Sequence, residues 1–281
     1  MKPPISRRIA RINQPQTLHH DAIRLGRAAI MPGLWAQHDP FLALMNDCFK
    51  PGAFGPHPHR GFETVTYVID GQLAHQDSRG GSGVLNPGDV QWMTAGRGVV
   101  HNEIPVHDSG VHVLQLWLNL PAGDKLADFR YQDLRADQVP AFAQDGVRVK
   151  VFAGESHGVA GAAQTFSPVL FLEISLAAGS RFVQPLQADA NGFIYVLHGE
   201  GRFGAESARG VKDDTLWLEH LPEVSEIHIQ AESDMKILLL AGQPLREPVK
   251  AYGPFVMNTR QQLAEAVADY QSGLFGEIIV I

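Results

Sequence analysis

Gly55-Pro56-His57-Pro58-His59-Arg60-Gly61-Phe62-Glu63-Thr64-Val65-Thr66-Tyr67-Val68-Ile69-Asp70-Gly71 is the stretch on which the reading of this chain turns. Its second half, Thr64 to Ile69, is β-branched and aromatic, which favours a pleated strand. Asp70-Gly71 closes that strand with a hairpin-type turn. The first half carries two histidines two residues apart. On an extended strand, residues i and i+2 point to one face, so His57 and His59 can offer two imidazoles to one metal ion. Downstream, in Gly96-Arg97-Gly98-Val99-Val100-His101-Asn102-Glu103, His101 and Glu103 repeat the spacing. If the two strands are neighbours, three imidazoles and a carboxylate converge. That set suits Fe, Mn, Ni, Cu or Zn and leaves positions open for water or substrate. Glu63 competes for the carboxylate role. It lies an even four residues after His59, so a regular strand points it inward, whereas a bulge at Gly61 would turn it away. Spacing alone leaves both Glu63 and Glu103 open.

Outward from this stretch, short extended runs separated by turn residues dominate. Val111 to Leu118, Val169 to Leu176, Phe193 to Leu197 and Lys236 to Leu240 read as strands, and Leu85-Asn86-Pro87-Gly88-Asp89, Ala178-Gly179 and His198-Gly199-Glu200-Gly201 as turns. Gly and Pro together are 28 + 18 = 46 of 281 residues, about 16% against an average of ~12%. This pattern favours a β-sandwich or barrel. One helix is expected near the C-terminus, over 259–272. Asn258 or Thr259 would cap it, with Gln261 completing a capping box on Asn258, and Gly273 would end it. A shorter helical stretch is expected near Asp124 to Ala127. The polar region Tyr131 to Asp145 reads as a linker between two domains, 1–132 and 133–281. Tyr67-Val68-Ile69-Asp70-Gly71 and Tyr195-Val196-Leu197-His198-Gly199 form a weak internal repeat. Aligning Gly71 with Gly199 makes two related β-domains the expected plan.

Composition removes several function classes. Hydrophobic residues at 44% allow a sizeable core, and no apolar run approaches the ~20 residues of a membrane-spanning helix. Met1 to Ala10 has no apolar core and is not expected to act as a secretory signal; the chain is expected to be cytoplasmic. A single cysteine, Cys48, rules out an internal disulfide and a multi-cysteine metal site. The net charge of −7 argues against a general electrostatic grip on nucleic acid. Of the 13 histidines, His19, His20, His38, His75, His107, His157, His198, His220 and His228 lack a partner at metal spacing and read as surface or structural. His112 faces away from Val111 and Val113, whereas Gln115 shares their face as a polar group in an apolar interior.

Taken with these motifs, the sequence resembles the pirins, a bicupin family within the cupin superfamily. The resemblance rests on His57-Pro58-His59-Arg60-Gly61-Phe62-Glu63-Thr64, Asn86-Pro87-Gly88-Asp89, Gln91-Trp92-Met93-Thr94-Ala95-Gly96-Arg97-Gly98 and Gly253-Pro254-Phe255-Val256-Met257-Asn258-Thr259. It implies an all-β chain of two tandem jelly-roll-like cupin barrels with a C-terminal helix. It also implies a metal, most often iron, held by His57, His59, His101 and Glu103, with Glu63 as a nearby group. The metal is expected in the first barrel only. Counting back from Gly199 as His57 and His59 lie from Gly71 lands on Pro185 and Gln187, neither a strong ligand. The second barrel is expected to brace the first or to bind a partner.

Several pirins cleave the flavonol quercetin with dioxygen, so the leading expectation is a metal-dependent dioxygenase that opens a flavonol ring and releases carbon monoxide. Glu103 would act as general base, with Glu63 as the alternative. Arg60, Phe54, Met93 and Gln115 are the expected pocket residues, and Trp92 or Trp117 could line it with them. The rival expectation is a non-catalytic regulatory protein whose metal switches contact with a protein partner, signalled by a charged patch around Arg60 and Arg97. A cupin acting on small sugars or acids is a third reading that the pirin-specific segments disfavour.

Overall fold

The computed structural model describes residues 5–278. The outermost residues of the two expected domains, 1–4 and 279–281, lie outside the described residues. The chain divides into two compact units. One comprises residues up to Pro15, His38–Pro40 and Gln138–Pro244; the other comprises Gln16–Gln37, Phe41–Asp137 and the chain from Leu245 onward.

In the second-named unit, the metal-motif barrel, a seven-stranded sheet runs in the order Arg130–Leu134, Val90–Thr94, Phe62–Asp70, Val111–Asn119, Phe41–Phe49, Arg24–Ile30, Gln16–His20. It faces a four-stranded sheet of His57–His59, Val99–Pro105, Leu73–Asp77 and Ser82–Leu85. The other barrel repeats this plan, with one added strand, Ile5–Ser6, parallel to Ser225–Ala231 in its short sheet. Its long sheet runs Ile9–Asn13, Thr215–Leu218, Asn191–His198, Met235–Gly242, Val169–Leu176, Val147–Ala153, Ala141–Gln144. In its short sheet Ser225–Ala231 pairs with Arg181–Leu186 and Glu200–Phe203, as Val99–Pro105 pairs with His57–His59 and Leu73–Asp77. Gly71 and Gly199 occupy equivalent turns, at φ +79° and +77°. A Cβ on Gly71 would lie 2.6 Å from the Gly110 carbonyl oxygen, and one on Gly199 2.2 Å from that of Asp234. Each glycine therefore meets the residue just before the equivalent strand, Val111–Asn119 or Met235–Gly242, and only a residue without a side chain fits both the angle and the gap.

The chain ends depart from the expected contiguous halves. Ile9–Asn13 pairs with Thr215–Leu218 of the apolar-filled barrel, at the sheet edge that Arg130–Leu134 occupies in the metal-motif barrel. Both cover an edge that would otherwise expose unpaired backbone groups. The helix Arg260–Gln271 packs on the metal-motif barrel, where Leu263, Ala266 and Val267 cluster with Val100, Phe255 and Phe275. Its cap is Thr259, whose hydroxyl accepts from the Gln262 amide at 3.1 Å while Gln262 Oε1 accepts from the Thr259 amide at 3.0 Å. The capping box is thus one residue later than the expected Asn258 and Gln261 pair. The expected linker 131–145 consists largely of edge strands, Arg130–Leu134 and Ala141–Gln144. Half-exposed edges tolerate polar residues, so their sequence reads as a connection. The helical stretch expected near Asp124 is a single 3-10 turn, Ala122–Asp124. Among the described residues no helix is long and apolar enough to cross a membrane.

The two interiors differ. The apolar-filled barrel is packed with residues such as Val149, Ile174, Leu186, Phe203, Ile227 and Ile229. The metal-motif barrel buries His59, His75, His101, Glu103, Thr64 and Thr66 beside its apolar clusters.

Candidate metal centre

His57–His59 pairs antiparallel with Val99–Pro105, setting His57 opposite His101 and His59 opposite Val99. Strand alternation then directs His57, His59, His101 and Glu103 to one inner face. The Nε2 atoms of His57 and His101 are 2.9 Å apart. The ring centroids are 4.9 Å apart for His57 and His59, and 4.8 Å for His59 and His101. One nitrogen from each of the three rings lies within 4.8 Å of the others. His57 Nδ1 meets the Gly55 carbonyl at 2.9 Å, which leaves Nε2 as the nitrogen turned to its neighbours. Both nitrogens of His59 and Nδ1 of His101 are buried without a hydrogen-bond partner. Burial, reinforced by the neighbouring histidines, holds His59 and His101 well below the usual imidazole pKa. Neutral imidazoles with free lone pairs are the form that coordinates a metal, so this donor set fits a divalent transition ion. Among the described residues these three histidines are the one such group.

The Glu103 carboxylate is not part of that group. Gln115 Nε2 donates to its two oxygens at 2.9 and 3.1 Å, and Thr66 Oγ1 donates at 3.4 Å. Burial pushes its pKa up, opposed by His57 and by these hydrogen bonds. Glu63 points the other way. Gly61 adopts φ +85° and breaks the alternation, so Phe62 packs on His59 at 5.1 Å and Thr66 reaches Glu103, whereas Glu63 takes the opposite face. There it accepts from Thr94 Oγ1 at 2.7 Å, and burial pushes its carboxyl pKa up. A base role beside the histidines is therefore closed to Glu63. Trp92, opposite Val65, shares that outer face, whereas Met93, opposite Thr64, faces inward.

Arg60 is a second correction. It alternates away from His59, and its guanidinium donates to Asp269 and to the Arg97 carbonyl, both at 2.7 Å, and stacks over Phe275 at 4.7 Å. It fastens the C-terminal helix, and its guanidinium is turned to that helix rather than to the histidines. It also forms no surface patch with Arg97, which pairs with Asp128. Phe54 sits beside the histidines, 6.5 Å from the His57 ring, with Phe49 edge-on at 4.8 Å and the Arg24 guanidinium over its face at 4.2 Å. Met93 is buried with Ala95, Val99, Phe129 and Tyr131.

Two residues escaped sequence reading. His75 is 3% exposed and lies directly across from Glu103, with its ring 4.7 Å from Tyr131. The alternation Leu73, His75, Asp77 after the Gly71 turn was the signal that it faces inward. Lys125 is 1% exposed. Its Nζ donates to the carbonyls of Gly61 (2.7 Å) and Val256 (3.1 Å) and to Asn119 Oδ1 (2.5 Å). It thereby ties the turn after His59 to the C-terminal segment, and burial lowers its pKa to about 7.

Strand register locates the equivalent positions in the apolar-filled barrel. Pro105 and Ala231 both pair with the residue two beyond the turn glycine, Leu73 and Gly201. His101 therefore corresponds to Ile227 and Glu103 to Ile229. Their partners place Gln184 and Leu186 at the positions of His57 and His59. The expected Pro185 and Gln187 are corrected by one and by one, because the connection from Leu186 to Gly199 is one residue longer than that from His59 to Gly71. Leu186 and Ile227 fill the space that two of the imidazoles occupy in the metal-motif barrel, and Gln184 stands at the third.

The pirin family model matches residues 34–118, and the pirin C-terminal cupin domain matches residues 171–276. A pirin-like protein of Solanum lycopersicum is 41% identical over 85% of this chain and 82% of its own length. Human pirin is 40% identical over 85% of this chain and 83% of its own. The crystal structure of a quercetin 2,3-dioxygenase from Acinetobacter baumannii superposes with a TM-score of 0.87 at 35% identity, covering 97% of this chain and 99% of that one.

Proposed function

The chain belongs to the pirin family, and from that premise we propose that it is a metal-dependent dioxygenase that opens the ring of a flavonol such as quercetin and releases carbon monoxide. The observation that carries this reading is the group of three convergent imidazoles, His57, His59 and His101, of which burial keeps His59 and His101 neutral, with Glu103 two residues beyond His101 on the same strand. Its likeness to a structure described as quercetin 2,3-dioxygenase supports the substrate class. The ion would be held by the three histidines and Glu103. Iron(II) is the proposed metal, and Mn, Ni, Cu or Zn suit the same donors. When bound, the ion acts as a Lewis acid that makes the flavonol 3-hydroxyl easier to deprotonate.

The protein's own groups do the rest. Glu103 receives the hydroxyl proton; its burial raises the carboxyl pKa and makes it a better base. Gln115 and Thr66 hold that carboxylate through its oxygens. Phe54 supplies apolar surface beside His57 for an aromatic ring, and Met93 faces the same interior. The net charge of −7 and the single cysteine support a cytoplasmic protein that acts without direct nucleic-acid contact. The test is anaerobic iron loading followed by quercetin and dioxygen. Loss of the flavonol absorption band with carbon monoxide release is expected. An unchanged band with fully loaded protein refutes the dioxygenase reading, and full metal content in His101→Ala refutes the site.

A further inference from the structure

Glu103 is held by a chain of side chains whose direction is fixed by chemistry. Gln115 lies directly opposite Thr66 across two strands, and its Nε2 donates to both Glu103 oxygens and to Thr66 Oγ1 at 3.2 Å. The other end of the same amide, Oε1, accepts the indole N–H of Trp117 at 3.2 Å. An indole nitrogen can only donate, so the oxygen of the amide faces Trp117 and its NH2 faces Glu103. The amide therefore has one orientation here. Turned over, it would set oxygen against carboxylate and NH2 against N–H. Trp117 is two residues from Gln115 on the same face, and its ring is 4.5 Å from Phe62 and 5.6 Å from His59. It thus touches the wall of the imidazole group as well as the amide.

We propose that Trp117 and Gln115 form an orienting relay that holds the Glu103 carboxylate away from the three imidazoles, in competition with the metal. Both are positioning residues: they act through Glu103 and set how firmly the carboxylate side of the site grips the ion. The inference rests on the reading of His57, His59, His101 and Glu103 as ligands. It makes an unusual directional statement. Removing the relay frees Glu103 and tightens metal binding, whereas structural damage loosens it. A charge-assisted hydrogen bond is worth about tenfold in an equilibrium constant.

The experiment titrates Ni(II) into metal-free full-length protein by calorimetry, for wild type, Trp117→Phe, Gln115→Leu, Glu103→Gln and the Glu103→Gln/Gln115→Leu double variant. Trp117→Phe keeps the ring against Phe62 and removes only the donor. It serves as the second probe should Gln115→Leu fold poorly by circular dichroism. The expected result is a Kd about tenfold lower in Gln115→Leu, a smaller drop in Trp117→Phe, and no effect of Gln115→Leu once Glu103 is Gln. If Glu103→Gln weakens binding while the two relay variants match wild type or bind more weakly, the relay is refuted and the ligand reading stands. If Glu103→Gln binds like wild type, the carboxylate is no ligand and both fall.

Discussion

Replacing Lys125 with Met gives a test that reads one proton. In the folded protein this ammonium lies at 1% exposure among neutral oxygens of Gly61, Val256 and Asn119, and burial brings its pKa from 10.5 to about 7. Between those values the unfolded chain holds a proton at this site that the folded chain has released. The contribution of this group to stability therefore rises with pH across that window and is flat below it, where both states are protonated, while the buried histidines add their own rise only below about pH 7. Integrating the two titrations from pH 6 to pH 9 gives a gain of about 3 kcal/mol for wild type. The upward shift of Tyr131 by burial acts above about pH 9, because an ordinary tyrosine ionises near pH ~10. The assay is urea unfolding of metal-free protein with chelator present, at pH 6, 7, 8 and 9, followed by tryptophan fluorescence. Lys125→Met should lose most of the rise between pH 7 and pH 9 while keeping a similar m-value and the histidine-linked rise below about pH 7. A wild-type curve that is flat or falling over pH 7–9, or an equal rise in Lys125→Met, refutes the argument.

Four further outcomes are expected. Gly61→Ala combines a left-handed φ with a Cβ 2.0 Å from the Val256 carbonyl oxygen, so it should cost at least ~2 kcal/mol in denaturant unfolding. Gly253→Ala, at φ +53° with nothing within 4 Å, should cost only the ~1 kcal/mol conformational part. Arg60→Ala removes hydrogen bonds to Asp269 and Arg97 and should lower stability by about 2 kcal/mol, yet leave the flavonol KM within about twofold; a large rise in KM would return Arg60 to the pocket. Ni(II) at a hundred times its Kd should stabilise wild type by about 2.7 kcal/mol and His101→Ala not at all, measured as the shift in urea midpoint.

Legibility followed the physical origin of each feature. The strand Val169–Leu176 is found where the sequence placed it, and Val111–Asn119 within a residue, because continuous β-branched runs between turns encode buried strands locally. Arg130–Leu134 and Ala141–Gln144 were hidden because edge strands bury little. The shared face of His57 and His59 follows from strand parity. The direction of Glu63 does not, since it depends on the backbone angle that Gly61 adopts. His75 meets Glu103 across a strand pair, so its partner is 28 residues away rather than two. Lys125 is bound by oxygens from three separate segments, an arrangement that leaves no periodic trace in the chain.

The crossing of the two chain ends bears on how the protein is made. Ile9–Asn13 leaves the ribosome early but cannot find its partner until residue 218 has followed. His57 and His59 emerge soon after, yet the turn behind them is completed by Val256 and by the helix that Arg60 holds. Chains assemble from the N-terminus at ~5–20 residues per second, and distant contacts form slowly. The metal-binding turn is thus synthesised well before the segment that locks it. A fragment ending before Pro254 would keep all three histidines while leaving the turn that carries two of them without its clamp, and a cut between the barrels would strip an edge strand from one and the helix from the other.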